Sequence, residues 1–210
     1  MMTLYDYLDS GNGFKIRLLL AQLQQPYHWI EKDILSNETR TPDFLAKNPN
    51  GRIPALELDD GTVIAESNAI LWYLAEGSRF IPDDRLQRAK VLQWMFFEQY
   101  SHEPYVATPR FIVKHLPADS PRRGELPDRM ARGRAALAVM DAHLTKQPFF
   151  AGQTYTIADI ALYAYTHVSH EADFDLTPYA ALRAWIDRVA SQPGYVSLYQ
   201  RPGSSESVKV

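Results

Sequence analysis

The spacing of apolar residues changes several times along the chain, and each change marks an element. Thr3–Tyr7 is short and rich in aromatic residues, a strand candidate, and is closed by the turn-forming run Leu8-Asp9-Ser10-Gly11-Asn12-Gly13. Phe14, Ile16, Leu18, Leu19, Leu20 and Leu23 then form a broad helical stripe that Ser10 or Asn12 can cap. Pro26 ends that helix and Tyr27–Ile30 reads as a second strand, so strand, helix and strand compose a unit that feeds a parallel pair. Within the polar, irregular stretch Lys32–Lys47, Thr41-Pro42 can start a short helix. Pro54 opens the apolar run Ala55, Leu56, Leu58, and Asp60-Gly61 is a hairpin pair, which predicts antiparallel pairing of Pro54–Leu58 with Thr62–Ala65. Glu66 and Ser67 stand where the second of these strands gives way to a helical run carrying Ile70, Leu71 and Leu74. The order is β-α-β-α-β-β-α, a small mixed sheet with helices against it. At roughly 75 residues such a domain has a marginal core of its own.

After the connector Gly77-Ser78-Arg79-Phe80-Ile81-Pro82 the pattern is helical almost throughout. Residues 1–77 are therefore taken as the first domain, 78–87 as a linker and the start of the first helix beyond it, and 88–210 as an all-helical domain. From Asp83 to about Leu116 the periodicity puts Leu86, Ala89, Leu92, Trp94, Met95, Phe97 and Tyr100 on or near the buried side, and makes helical core of Trp94-Met95-Phe96-Phe97. Pro104 and Pro109 are expected to bend or break that helix. Further helices are predicted from Leu126 to Leu144, from Thr156 to about His170 and from Pro178 to Ala190. Thr156-Ile157-Ala158-Asp159 has the form of a capping box with aspartate in the last place, a structural device that makes Thr156 and Asp159 folding residues. The tail from Gln192 ends in PGSSESVKV, which has little to bury and is expected to be mobile.

Composition narrows the function classes. With 22 Lys+Arg against 25 Asp+Glu, the net charge of -3 offers no electrostatic case for nucleic acid or an anionic membrane. No apolar run approaches the ~18 residues of a membrane helix, and MMTLYDYLDSGNG lacks a basic region followed by an apolar core, so a cytoplasmic location is the expectation. The chain has 0 cysteines, which removes disulfides, thiolate metal sites and cysteine nucleophiles together. Any sulfur chemistry must use the ligand's sulfur. His167 and His170 lie near Asp173, but no third ligand stands at convincing spacing, and no metal is expected.

Four stretches in this order and spacing carry a resemblance: Ser10-Gly11-Asn12-Gly13-Phe14-Lys15 after the first strand, Asn48-Pro49-Asn50-Gly51-Arg52-Ile53-Pro54, Glu66-Ser67, and Thr156-Ile157-Ala158-Asp159. Up to about Tyr199 the chain resembles a cytosolic glutathione S-transferase of bacterial type, with a Ser/Asn rather than a Cys or Tyr active-site pattern. The resemblance implies an α/β thioredoxin-like N-terminal domain followed by an all-α C-terminal domain. It also implies a cis Ile53-Pro54 bond that turns the main chain of Ile53 toward the cysteinyl part of glutathione. Ser67 would take the γ-glutamyl carboxylate on the dipole of the helix it begins, Glu66 the α-ammonium, and Arg52 a glutathione carboxylate.

By the same resemblance Ser10 and Asn12 are the catalytic candidates, their hydroxyl and amide stabilising the glutathione thiolate; neither ranks above the other. Tyr5 would have to act from within the strand and reads as packing. A second-substrate pocket between the domains is expected to draw on Phe14, Tyr100, Tyr105 and Arg110. Glutathione enters as co-substrate, a small hydrophobic electrophile, peroxide or disulfide as the second substrate, and a twofold homodimer as the assembly. A glutathione-dependent disulfide-bond oxidoreductase or peroxidase, and a noncatalytic dimeric interaction protein that keeps the fold, are the alternatives.

Overall fold

The computed structural model describes residues 1–203 and divides into two compact units, Met1–Leu74 together with the chain from Pro193 on, and Ala75–Gln192. The last residues of PGSSESVKV, 204–210, lie outside the described residues.

In the first unit the strands β1 (Thr3–Asp6), β2 (His28–Glu31), β3 (Ala55–Glu57) and β4 (Val63–Ala65) form one sheet in the order β2-β1-β3-β4. β1 is parallel to β2, with Leu4 opposite Trp29, and antiparallel to β3, with Leu4 opposite Leu56 and Tyr5 opposite Ala55. β3 and β4 make the predicted hairpin, Ala55 opposite Ala65. Because side chains alternate across a sheet, Tyr5 and Ala55 share one face, where they meet Phe44 of α2 (Pro42–Lys47). Leu4 and Leu56 point to the other face and are fully buried, as are Phe14, Ile16, Leu18, Leu19 and Leu20 of α1 (Gly11–Gln22) and Ile70 and Leu71 of α3 (Ser67–Ala75). α1 is thus buried nearly all round rather than along one stripe, the pattern of an interior helix.

The tail was assigned to the helical domain on sequence, and the structure corrects this. The Arg17 guanidinium donates to the carbonyl of Leu198 at 2.7 Å, Leu198 is buried, and Arg201 pairs with Glu31 at 2.9 Å. The returning chain therefore helps to close a first unit whose own core is small.

In the second unit α4 (Arg85–Phe97) runs through a π-helical turn, Glu98–His102, into α5 (Glu103–His115), followed by α6 (Leu126–Leu144), α7 (Ile157–Thr166) and α8 (Ala180–Ala190). Pro104 lies in the first turn of α5, where its missing N–H costs nothing, and Pro109 lies inside the helix. The buried face of α4 differs from the predicted one. Val91, Trp94, Met95, Glu98 and His102 are buried, whereas Leu86, Ala89, Leu92, Phe96 and Tyr100 are exposed, Phe96 at 69% and Tyr100 at 83%. Two apolar stripes compete on this helix, and tertiary packing chose the one that continues into two polar residues. Val139 on α6 is likewise exposed.

α7 is buried along its whole length and packs against α4, α5 and α8. At its start the predicted capping box is complete. One Asp159 oxygen accepts from the N–H of Thr156 at 2.9 Å; the other accepts from the N–H of Phe150 at 3.1 Å and from Nε1 of Trp185 at 3.0 Å.

Candidate active site

The first unit brings two helix starts together. Ser10 is extended (φ -79°, ψ 122°), and its Oγ accepts from the N–H of Gly13 at 3.2 Å, which makes Ser10 the cap of α1. Asn12 sits half-buried in the first turn of α1. At the start of α3, Glu66 is exposed in the left-handed region (φ 70°), which aims the next residue inward, and Ser67 is 5% exposed. The Ser67 hydroxyl donates to Oδ1 of Asn12 at 3.1 Å, joining the two starts through side chains 55 positions apart.

Beneath this contact lies Lys15, at 0% exposure. Its Nζ donates to Oγ of Ser67 at 3.2 Å and reaches Oδ1 of Asn68 at 3.5 Å.

The turn between β1 and α1 is braced from behind. The carboxylate of Asp6, fully buried, accepts from the N–H of Tyr7 at 2.6 Å and from Nε of Arg17 at 2.9 Å; Arg17 also donates to the carbonyl of Leu8 at 2.7 Å. Burial pushes the Asp6 carboxyl up to about 6, against the pull of Arg17. The same carboxylate occupies the space that a Cβ on residue 13 would need, so Gly13 is what lets α1 approach the end of β1.

The loop before β3 is held by its own polar groups. Nδ2 of Asn48 donates to the carbonyl of Arg52 at 2.8 Å, the N–H of Asn50 donates to Oδ1 of Asn48 at 3.1 Å, and Arg40 donates to the carbonyl of Asn50 at 3.1 Å. The Ile53-Pro54 bond is cis, as the motif implied. Ile53 is half-buried, and Arg52 is exposed. Tyr5 donates its hydroxyl to Glu57 at 2.7 Å, and Lys47 pairs with the same carboxylate at 2.7 Å. The phenol is committed to the neighbouring interior strand, and its pKa is raised by burial and by Glu57.

Ser10, Asn12 and Ser67 therefore cluster, with Glu66 beside them in the chain. The residues named for a second-substrate pocket fare differently. Phe14 is fully buried with the Arg17 guanidinium 5.6 Å from its ring centre, and Arg110 is buried in an ion pair with Glu171 at 2.8 Å, so neither presents a free surface. Tyr105 receives a hydrogen bond from Arg132 at 3.3 Å, and Tyr100 stands exposed on the π-helical turn. Among the described residues no group of three His, Cys, Asp or Glu side chains is placed to hold a metal ion. Nor is any helix there long and apolar enough to cross a membrane.

Sequence reasoning quoted Lys15 within a motif without giving it a role, and passed over Asp6 and Arg17. The available signal was the run Phe14-Lys15-Ile16-Arg17-Leu18, in which cations alternate with large apolar residues.

Comparison with known proteins agrees with this architecture. The family model described as the glutathione S-transferase N-terminal domain matches residues 1–76, and that of the C-terminal domain matches residues 93–193. A crystal structure of glutathione S-transferase from Pseudomonas fluorescens superposes with a TM-score of 0.91 at 51% identity, covering 95% of this chain and 99% of that one. The disulfide-bond oxidoreductase YfcG of Escherichia coli is 30% identical over 200 residues, 92% of each chain. A glutathione transferase from Phanerochaete chrysosporium, solved in complex with oxidized glutathione, superposes with a TM-score of 0.82 at 25% identity over 92% of each chain.

Proposed function

Because this chain belongs to the glutathione S-transferase family, we propose that it is a transferase that stabilises the thiolate of glutathione for attack on a small electrophile. The supporting observation is the contact of Ser67 with Asn12, at 3.1 Å, which sets two helix starts side by side. Backbone N–H groups are unsatisfied at such starts, and the dipoles favour negative charge. Ser67 receives the γ-glutamyl carboxylate through its N–H, the exposed Glu66 takes the α-ammonium, and the main chain of Ile53 pairs with the cysteinyl unit. Arg52, also exposed, reaches a glutathione carboxylate.

A free thiol has a pKa near 8.5, so the enzyme's task is to hold the anion with donors from Ser10 and Asn12. The thiol proton passes to solvent, the sulfur pair forms a bond to the electrophilic carbon, and the leaving group departs with the pair of the broken bond.

A disulfide-bond oxidoreductase is the second reading, favoured by the name of the Escherichia coli relative. This chain has 0 cysteines. In that reading the glutathione thiolate attacks one sulfur of a substrate disulfide and expels the other as thiolate. A second glutathione then resolves the mixed disulfide, giving oxidized glutathione and the reduced substrate.

Ultraviolet titration of thiolate absorbance with protein present tests the shared step. A midpoint below that of free glutathione is expected, and a curve identical to free glutathione leaves only a noncatalytic protein of this fold. A panel of halogenated aromatic, hydroperoxide and disulfide substrates then separates transfer from reduction.

The exposed apolar stripe Leu86, Leu92, Phe96 and Tyr100 supports a homodimer, which sedimentation would report as twice the chain mass.

A further inference from the structure

Lys15 has no counterpart among the groups assigned above, yet it is fully buried at the point where the two helix starts meet. As an ammonium it has three donors and no acceptor. Its contacts on this side are to oxygens: Oγ of Ser67 at 3.2 Å and Oδ1 of Asn68 at 3.5 Å, with Oδ1 of Asn12 one hydrogen bond further on, 3.1 Å from Oγ of Ser67. A buried cation draws the negative end of a neighbouring dipole toward itself, and in a low dielectric that preference is strong. The hydroxyl of Ser67 accepts from Lys15 and passes its single proton to Asn12, so the Asn12 carbonyl faces Ser67 and its amide nitrogen lies on the other branch.

We propose that Lys15 is a positioning residue: through Ser67 it fixes the orientation of the Asn12 amide, so that Asn12 presents N–H rather than C=O to the sulfur of glutathione. This rests on the thiolate reading above and sharpens it, because it names how the fold holds Asn12 as a sulfur donor, beside Ser10, whose Oγ also caps α1 by accepting from Gly13 at 3.2 Å. Without the cation the amide can turn over, and its oxygen would then face the thiolate and repel it.

The test is Lys15→Met, a swap of a buried charge for an apolar chain of similar length. It is read by thiolate titration of bound glutathione, alongside the affinity for S-methylglutathione, which binds with no thiolate. The midpoint is expected to rise by about 1 unit, while affinity for S-methylglutathione changes less than that tenfold. In an Asn12→Ala background, Lys15→Met should add no further shift, because the lysine acts through the amide.

A midpoint unchanged by Lys15→Met overturns the proposal, and so does a Lys15→Met shift that persists undiminished in the Asn12→Ala background. Lys15→Gln replaces Lys15→Met under the same criteria should the methionine variant fail to fold by circular dichroism. Wild-type protein that binds glutathione without lowering its midpoint overturns the thiolate reading itself and this proposal with it. Wild-type lowering that Lys15→Met leaves intact overturns only the role of Lys15.

Discussion

The helix starts of the two units use the same capping chemistry to opposite ends. At the start of α7, Thr156 and Asp159 are both buried, and the carboxylate takes the N–H of Thr156, the N–H of Phe150 and the indole of Trp185. The donors are used up internally and the end is closed. α1 and α3 have no acidic residue in their first turns, and the position matching Asp159 in α1 is held by Gly13. Their dipoles lack that local carboxylate, and the side chains there, Asn12 and Ser67, join to each other across the unit. An acid three residues into a helix thus converts a ready-made anion seat into a structural joint.

Breaking the closed joint should have the largest effect. Asp159→Ala leaves two backbone N–H groups and an indole N–H buried without their acceptor, and is expected to cost roughly 3–5 kcal/mol in urea unfolding. A loss below about 1 kcal/mol would show that the joint contributes no more than an exposed cap.

Acid tests the same helix from its other end. At the C-cap of α7, the Nδ1 of His167 lies 2.8 Å from the carbonyl of Tyr163 and its ring stacks on that tyrosine, with burial holding the imidazole down to about 4. An unfolded histidine protonates near 6.5, so between these values the unfolded chain binds more protons. The stability contributed by His167 is therefore full above about 6.5 and is lost as the pH falls toward 4, by about 3 kcal/mol in total. Asp6 and Asp159, both pushed up to about 6 by burial, act in the opposite sense: their contribution is present in acid and is lost as the pH rises through about 6. The difference between wild type and His167→Asn isolates the histidine. The variant should lose less stability between pH 7 and pH 4, and parallel curves would remove His167 from the account.

At the open starts the effects are smaller and fall on chemistry. Asn12→Ala is expected to lower kcat/KM by about 10- to 100-fold with a preferred electrophile, with the thiolate midpoint rising in step. Ser10→Ala should cost about 1 kcal/mol of stability through the lost cap and leave the midpoint of bound glutathione nearly in place. If instead its midpoint rises as far as that of Asn12→Ala, the serine is a sulfur donor as well as a cap.

Local chemistry made much of this legible beforehand. Ser10, Thr41 and Thr156 are caps because short oxygen side chains reach the N–H groups just ahead of them, and the Asp60-Gly61 hairpin follows from turn geometry. Lys15 was not legible as a member of the site. In a helical run a lysine reads as a side chain that reaches solvent, and its burial depends on Ser67, 52 positions away. Phe14 and Arg110 were named for a ligand pocket that the resemblance implied; one is enclosed by core, and the other is paired with Glu171.

The order of strands and helices, the capped starts and the need for a sulfur from outside the chain were all settled by the amino-acid order, because each depends on neighbours within a few residues or on composition. Which stripe of α4 is buried, that the chain from Pro193 returns to the first unit, and that a cation lies beneath Asn12 and Ser67 were decided only by tertiary structure. Those outcomes depend on which groups from distant parts of the chain compete for the same buried space, and no local periodicity records that competition.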